Sequence, residues 1–169
     1  MALERLWTPW RQQYVAAAAR DSGGAGEVEC FLCAAAASPE DDERRLVVFR
    51  AEHGFVLLNR FPYNSGHVMV APYAHLGDLV QLPPEAGHAL FDLTQRVVAA
   101  LREEYRPDGF NIGMNLGRPA GAGLPDHLHI HVVPRWNGDT NFMPIIGQTK
   151  VLPETLDQTW ARLRRRFAL

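Results

Sequence analysis

Three histidines, His127, His129 and His131, stand in strict alternation with Leu128, Ile130 and Val132. Imidazole has an unperturbed pKa of about 6.5, so each ring can serve as nucleophile, proton carrier or metal ligand near neutral pH. On an extended chain alternate side chains share a face, so one face carries the rings and the other carries aliphatics for a core. Neighbouring histidines then lie about 6.6–6.8 Å apart along the strand, and the outer two about 13 Å apart. Zinc–nitrogen bonds are about 2.0–2.1 Å, so two of the rings suit one ion and three on a straight strand do not. The strand therefore offers its histidines for different roles. Solvated histidines on an edge strand would need neither this alternation nor the glycine-rich stretch Gly117 to Gly123 just before it. In that stretch glycine lets the backbone approach a phosphate closely and present N–H groups to it.

A second group is Cys30 and Cys33, the chain's only cysteines. Such a pair in a reducing compartment is metal-binding or redox-active more often than a structural disulfide. No thioredoxin-like strand–helix–strand pattern surrounds it, which weighs for metal; a metal-free reduced pair and a redox pair are the alternatives.

The elements that must position these groups are legible from periodicity. Leu46–Phe49 and Phe55–Leu58 read as strands joined by a turn at Glu52-His53-Gly54. Tyr63–Gly66 reads as a turn leading into a strand at His67–Ala71. From Pro84 to Tyr105 the period changes: Leu90, Leu93, Val97, Val98 and Leu101 recur at helical spacing, and Pro107-Asp108-Gly109 ends the run. Phe110–Leu116 and Leu128–Val133 complete the strands, Ala34–Ala37 suggests a short helix, and Leu156–Phe167 a closing helix with Arg164, Arg165 and Arg166 at its end. Strands gathered around one long helix, without alternating βαβ units, predict an α+β fold with an antiparallel sheet of about five strands.

Bulk properties narrow the class. The chain has 169 residues, 47% hydrophobic and 21% charged, with a formal net charge of -2. That suits one globular domain over residues 1–169, with a core at about 29–136, an N-terminal arm at 1–28 and a C-terminal extension at 137–169. The arm holds Trp7, Trp10 and Tyr14, followed by a small and polar stretch from Ala16 to Gly26 that reads as a linker. The charge balance argues against a nucleic-acid partner, which asks for a surplus of Lys and Arg, but not against a small phosphate ligand. No apolar run approaches the roughly 20 residues of a membrane span, and Met1–Trp7 lacks the form of a signal peptide. No membrane partner and a cytoplasmic location are expected.

The run His-apolar-His-apolar-His-apolar-apolar, here His127 to Val133, resembles the signature of the histidine-triad family. The likeness extends to Phe55–Asn59, Gly66–Pro72 and Gly109–Gly117, and so covers about Glu29 to Trp136. The flanks Leu6–Arg11 and Trp136–Phe142 are similar, more narrowly, to the bacterial diadenosine tetraphosphate phosphorylases of that family. The resemblance implies a histidine-triad fold with one long helix and a C-terminal helix. It implies that His129 is a nucleophile forming a nucleotidyl-histidine, that His131 contacts phosphate or the bridging oxygen, and that His67 supports the triad. One hard displacement then becomes two easier ones. It implies ribose contact by Asn59 and phosphate contact by Asn115 and the loop at Gly121, Ala122 and Gly123. It implies a structural zinc on Cys30, Cys33, His75 and His127, with His53 and His88 as other imidazoles that could take the place of His75. The expected partners are an adenine nucleotide or dinucleoside polyphosphate, inorganic phosphate, and a second copy of the chain in a homodimer or higher assembly paired through the Pro84–Tyr105 helix. The leading expectation is phosphorolysis of diadenosine tetraphosphate to ATP and ADP. A hydrolase of dinucleoside polyphosphates or phosphoramidates is the alternative, and a non-catalytic nucleotide- or zinc-binding module the second. For the phosphate acceptor, Arg118 and Lys150 are the candidate cations.

Overall fold

A computed structural model describes residues 30–142, 146 and 151–168. The aromatic opening at Trp7, Trp10 and Tyr14, the linker at 16–26 and Lys150 lie outside them. The chain divides into two compact units, Glu29–Thr140 with Leu152–Leu169, and Met1–Val28 with Asn141–Val151. All that follows concerns the first.

Five strands form one antiparallel sheet: β1 (Val47–Arg50), β2 (Gly54–Leu58), β3 (Val68–Pro72), β4 (Gly109–Gly113) and β5 (Ile130–Arg135), in the order β1-β2-β3-β5-β4. Among the described residues three α-helices accompany it: α1 (Phe31–Ala37), α2 (Pro84–Tyr105) and α3 (Leu156–Phe167). The architecture is the α+β arrangement expected from the sequence pattern.

Every residue of β2 and β3 is buried, because both faces of the sheet are covered. On one face Val56, Leu58, Val68, Val70, Ile130 and Val132 pack against α2 and α3. The stripe of α2 that meets them is Leu90, Leu93, Val97 and Leu101, the helical repeat read from the sequence. Helix α3 begins with a capping box, Thr155 and Gln158 exchanging side-chain and backbone hydrogen bonds. It is pinned on β1 by Trp160, whose Nε1–H donates to the Val47 carbonyl at 2.8 Å. On the other face Phe55, Leu57, Met69 and Ala71 pack against Leu32 and Ala35 of α1. The register sets Met69 of β3 and Gly113 of β4 opposite His131 of β5, so the histidine face is the one that α1 only partly covers.

Two elements differ from the sequence reading. The strand expected over Phe110–Leu116 ends at Gly113. Regular pairing of the last strand starts at Ile130 and runs to Arg135, so His127 and His129 precede it. Continuing the β3–β5 register would set Pro72 opposite Leu128, and proline has no N–H for the ladder. The Leu128 N–H donates instead to the Leu76 carbonyl at 2.7 Å, and the Pro72 carbonyl receives a side chain.

Candidate functional site

Cys30 precedes α1 and Cys33 lies in its first turn, so the helix carries both sulfurs to one place. His75 follows β3, and His127 comes from the approach to β5. The ligand-capable atoms of Cys30, Cys33, His75 and His127 all lie within 4.8 Å of one another. His127 is fully buried and its Nε2–H donates to the Pro72 carbonyl at 3.0 Å. That bond fixes the tautomer and leaves the bare Nδ1 facing Cys30 Sγ at 3.3 Å and Cys33 Sγ at 3.5 Å. His75 Nδ1 lies 3.1 Å from Cys33 Sγ. Bond lengths of about 2.3 Å to sulfur and 2.0–2.1 Å to nitrogen give tetrahedral edges of about 3.3–3.8 Å, so the donor set and its spacing fit zinc. Burial, and then the adjoining Cys30, push the Cys33 thiol up, so a cation between the sulfurs is what favours the thiolate. His53 and His88 are exposed and outside the cluster; of the three imidazoles, it is His75 that joins His127.

The second cluster begins two residues further along. His129 is 7% exposed, and its Nδ1–H donates to the His127 carbonyl at 2.9 Å, leaving the lone pair on Nε2. Its ring meets the His131 ring edge-on at 4.8 Å between centroids. His67, at the entry to β3, completes the group. The Tyr63 N–H donates to His67 Nδ1 at 3.1 Å, so the proton of neutral His67 sits on Nε2 and is donated to His131 Nδ1 at 3.0 Å. Neutral His131 then carries its own proton on Nε2. Burial, with His131 and His129 adding to it, pushes His67 down to about 3, which keeps it neutral. Burial also lowers His129, opposed in part by the His127 carbonyl. The arrangement is a neutral nucleophilic nitrogen beside a ring that presents a proton, with a third ring fixing the second one's tautomer.

The other residues singled out by sequence are placed as follows. Asn59 follows β2 and its Oδ1 accepts from the Phe61 N–H at 2.9 Å, an Asx turn that leaves its amide nitrogen to donate. Asn115 donates to the Gly121 carbonyl at 3.4 Å and so braces the glycine loop. That loop contains a short 3₁₀ turn, Arg118–Ala120, flanked by positive φ at Gly117 and left-handed backbone at Gly121. The N–H groups of Ala120 and Ala122 donate to the Gly117 carbonyl at 3.2 and 3.3 Å, and that of Gly121 to the Arg118 carbonyl at 2.9 Å.

Three features escaped the sequence reading. In the sequence Tyr63 reads only as a turn residue, yet its ring packs on His67 at 4.6 Å and on His131 at 6.0 Å. Gly77 lets two backbones meet: a Cβ there would lie 2.6 Å from the Pro125 carbonyl oxygen and 3.0 Å from Asp126 Cα. Nothing in an isolated glycine between Leu76 and Asp78 signals this. Asp139 is the hub of a polar knot. It takes two bonds from Arg135 at 2.6 and 2.7 Å and one from the Asn64 side chain at 2.7 Å. The Trp136 N–H and Thr140 hydroxyl add bonds at 3.1 Å each.

Comparison with known proteins identifies the family and the fold. The HIT domain model matches residues 40–138. A protein of Mycobacterium tuberculosis described as AP-4-A phosphorylase is 43% identical over 170 residues, covering 95% of this chain and 86% of that one. The crystal structure of a Zn-bound histidine triad family protein from Mycobacterium smegmatis superposes with a TM-score of 0.66 at 28% identity, over 85% of this chain and 96% of that one. A HIT family protein from Bacillus anthracis superposes with a TM-score of 0.57 at 27% identity, over 66% and 76% of the two chains. A match to the HIT domain model over residues 40–138, more than half the chain, places this chain in the HIT domain family.

Proposed function

We propose that this protein is a nucleotidyltransferase that cleaves diadenosine tetraphosphate by phosphorolysis, giving ATP and ADP. The observation that carries the chemistry is the His129 Nδ1–H bond to the His127 carbonyl, which leaves Nε2 as a neutral nucleophile with a fixed direction. In this reading Nε2 attacks the α-phosphorus of one adenylate. The bond from that phosphorus to the bridging oxygen breaks and ATP departs, leaving adenylyl-His129. His131 Nε2–H donates to the departing or non-bridging oxygen, and His67 holds His131 in that tautomer. Inorganic phosphate then attacks the phosphorus, frees the histidine and yields ADP. Asn59 offers its amide to the ribose. Asn115 and the loop at Gly121, Ala122 and Gly123 meet the phosphates, exchanging the loop's internal bonds for bonds to the ligand. The 43% identity to a protein described as AP-4-A phosphorylase supports phosphate over water as acceptor.

Cys30, Cys33, His75 and His127 would hold a zinc ion, whose part is structural: four protein ligands close a tetrahedral site and tie α1, the segment after β3 and the approach to β5 together. Thiolate ligands suit the reducing cytoplasm. Among the described residues no helix is long and apolar enough to cross a membrane. A homodimer through α2 and the outer strand β4 completes the reading, supported by Phe91 and Ile112, which are 62% and 51% exposed there. Light scattering at micromolar concentration should show more than the monomer.

The deciding experiment incubates the enzyme with diadenosine tetraphosphate while phosphate is titrated. ADP and ATP in equal amounts are expected. AMP and ATP at millimolar phosphate would make water the acceptor and the protein a hydrolase.

A further inference from the structure

We propose that Asp139 is a positioning residue for the histidine relay: its carboxylate, through the Asn64 side chain, holds the turn that aims His67 at His131. The proposal rests on the relay reading of His67 and His131 given above.

The turn Tyr63–Gly66 surrounds His67 without a regular element to stiffen it. Its geometry nonetheless sets the relay, because the Tyr63 N–H fixes the His67 tautomer and the Asn64 carbonyl accepts the His67 backbone N–H at 3.2 Å. Asn64 is the peg of this turn. It is buried, and its amide nitrogen donates both to the Pro134 carbonyl at 3.0 Å and to Asp139 Oδ2 at 2.7 Å. The turn is thereby bolted to the far end of β5, the strand that carries His131.

Asp139 is built for that task. Its side chain is 9% exposed, so an unpaired charge there would be costly. Arg135 grips it with two bonds and also donates to Asn111 Oδ1 of β4 at 2.6 Å, which fixes the carboxylate to the sheet rather than to a mobile loop. Arg135 first, with the Trp136 N–H, Asn64 and Thr140 adding to it, holds the carboxyl well below the usual carboxylate range. The carboxylate stays an acceptor over the working pH range, and the Asn64 amide is oriented with its nitrogen towards it. A chain of short contacts thus runs from the Arg135–Asp139 pair through Asn64 to His67 and His131. Of its members, Arg135, Asp139 and Asn64 touch no substrate in this reading. Its effect would be on the alignment of His131, where a shift of about 1 Å can cost on the order of 100-fold in rate.

The test is Asp139→Asn, with Asn64→Ala as the variant that leaves the Arg135–Asp139 pair intact should the first not fold. Steady-state kinetics on diadenosine tetraphosphate, well below each variant's melting temperature, should show kcat lowered about 10- to 100-fold with KM changed less than about threefold. In a His67→Gln background the same substitutions should lower kcat no further, since they act through that ring. Independently of turnover, the downfield proton of His67 Nε2–H should be present in the wild-type spectrum and lost or shifted in both variants. Wild-type kcat in a folded variant, losses that simply multiply in the double variant, or an unmoved ring proton would each overturn the proposal. A wild-type protein that cleaves no dinucleotide would refute the functional reading, while the ring proton would still decide the positioning.

Discussion

His67 should make the fold sensitive to acid in a way that one substitution removes. The ring is 1% exposed and held down to about 3 by burial and by its neighbours His131 and His129. An unfolded chain protonates the same ring near pH 6.5. Between those two values the unfolded state binds a proton that the folded state refuses, so stability is present above about pH 6.5 and is lost as the pH falls towards 3. From about pH 7 to about pH 5 the single group accounts for about 2 kcal/mol. His67→Gln removes the titration while keeping an amide that can donate to His131. Urea unfolding of both proteins should show wild type ahead at neutral pH, with the gap shrinking by about 2 kcal/mol towards pH 5. Loss of metal in acid affects both proteins and cancels in the difference. Parallel stability curves would mean that His67 accepts a proton inside the fold, and the assignment of a neutral relay would fall with it.

Other outcomes follow from the same geometry. His129→Ala should lower turnover by on the order of 10⁴ or more, since a lost nucleophile is rarely compensated; a variant retaining about a tenth of the activity would sink the covalent mechanism. Protein purified without added metal should contain about one zinc per chain, and Cys30→Ser with Cys33→Ser should abolish it and lower the melting temperature by at least about 10 °C. Unchanged metal content in elemental analysis would remove the site. Gly77→Ala forces a Cβ to within 2.6 Å of the Pro125 carbonyl oxygen, so it should cost about 1–3 kcal/mol and make the metal easier to strip with a chelator. Wild-type melting and chelator resistance would show that the two backbones part freely.

The sequence carried the parts of the site that repeat with a period or belong to a motif. The alternation at His127–Val132 is such a pattern, and so is the stripe on α2. What stayed hidden depends on distance along the chain. That Pro72 ends the β3–β5 ladder, freeing its carbonyl to fix the tautomer of His127, needs the register of two strands 55 residues apart. That Asn64 reaches Asp139, 75 residues away, needs the path of the loop beyond β5. A turn signal such as Tyr63-Asn64-Ser65-Gly66 announces a change of direction but not what the side chains will meet. The resemblance names His75 among three imidazoles; the close backbone approach at Gly77 and the Leu128 N–H bond to the Leu76 carbonyl hold the segment after β3 beside the approach to β5, where His75 faces the cysteines.

The strand order has a kinetic consequence. Strands β1, β2 and β3 follow one another as hairpins, so their pairing closes short loops and can form early. Strand β5 must slot between β3 and β4, and its contacts are remote: His67 and His131 are separated by 64 residues, Cys30 and His127 by 97. Both clusters therefore form only once long-range pairing has brought β5 into the sheet, the step that closes the longest loops. Four ligands drawn from positions as far apart as Cys30 and His127 cannot meet around one ion before that step. A chain that has paired β1, β2 and β3 alone would possess a meander of sheet and neither cluster.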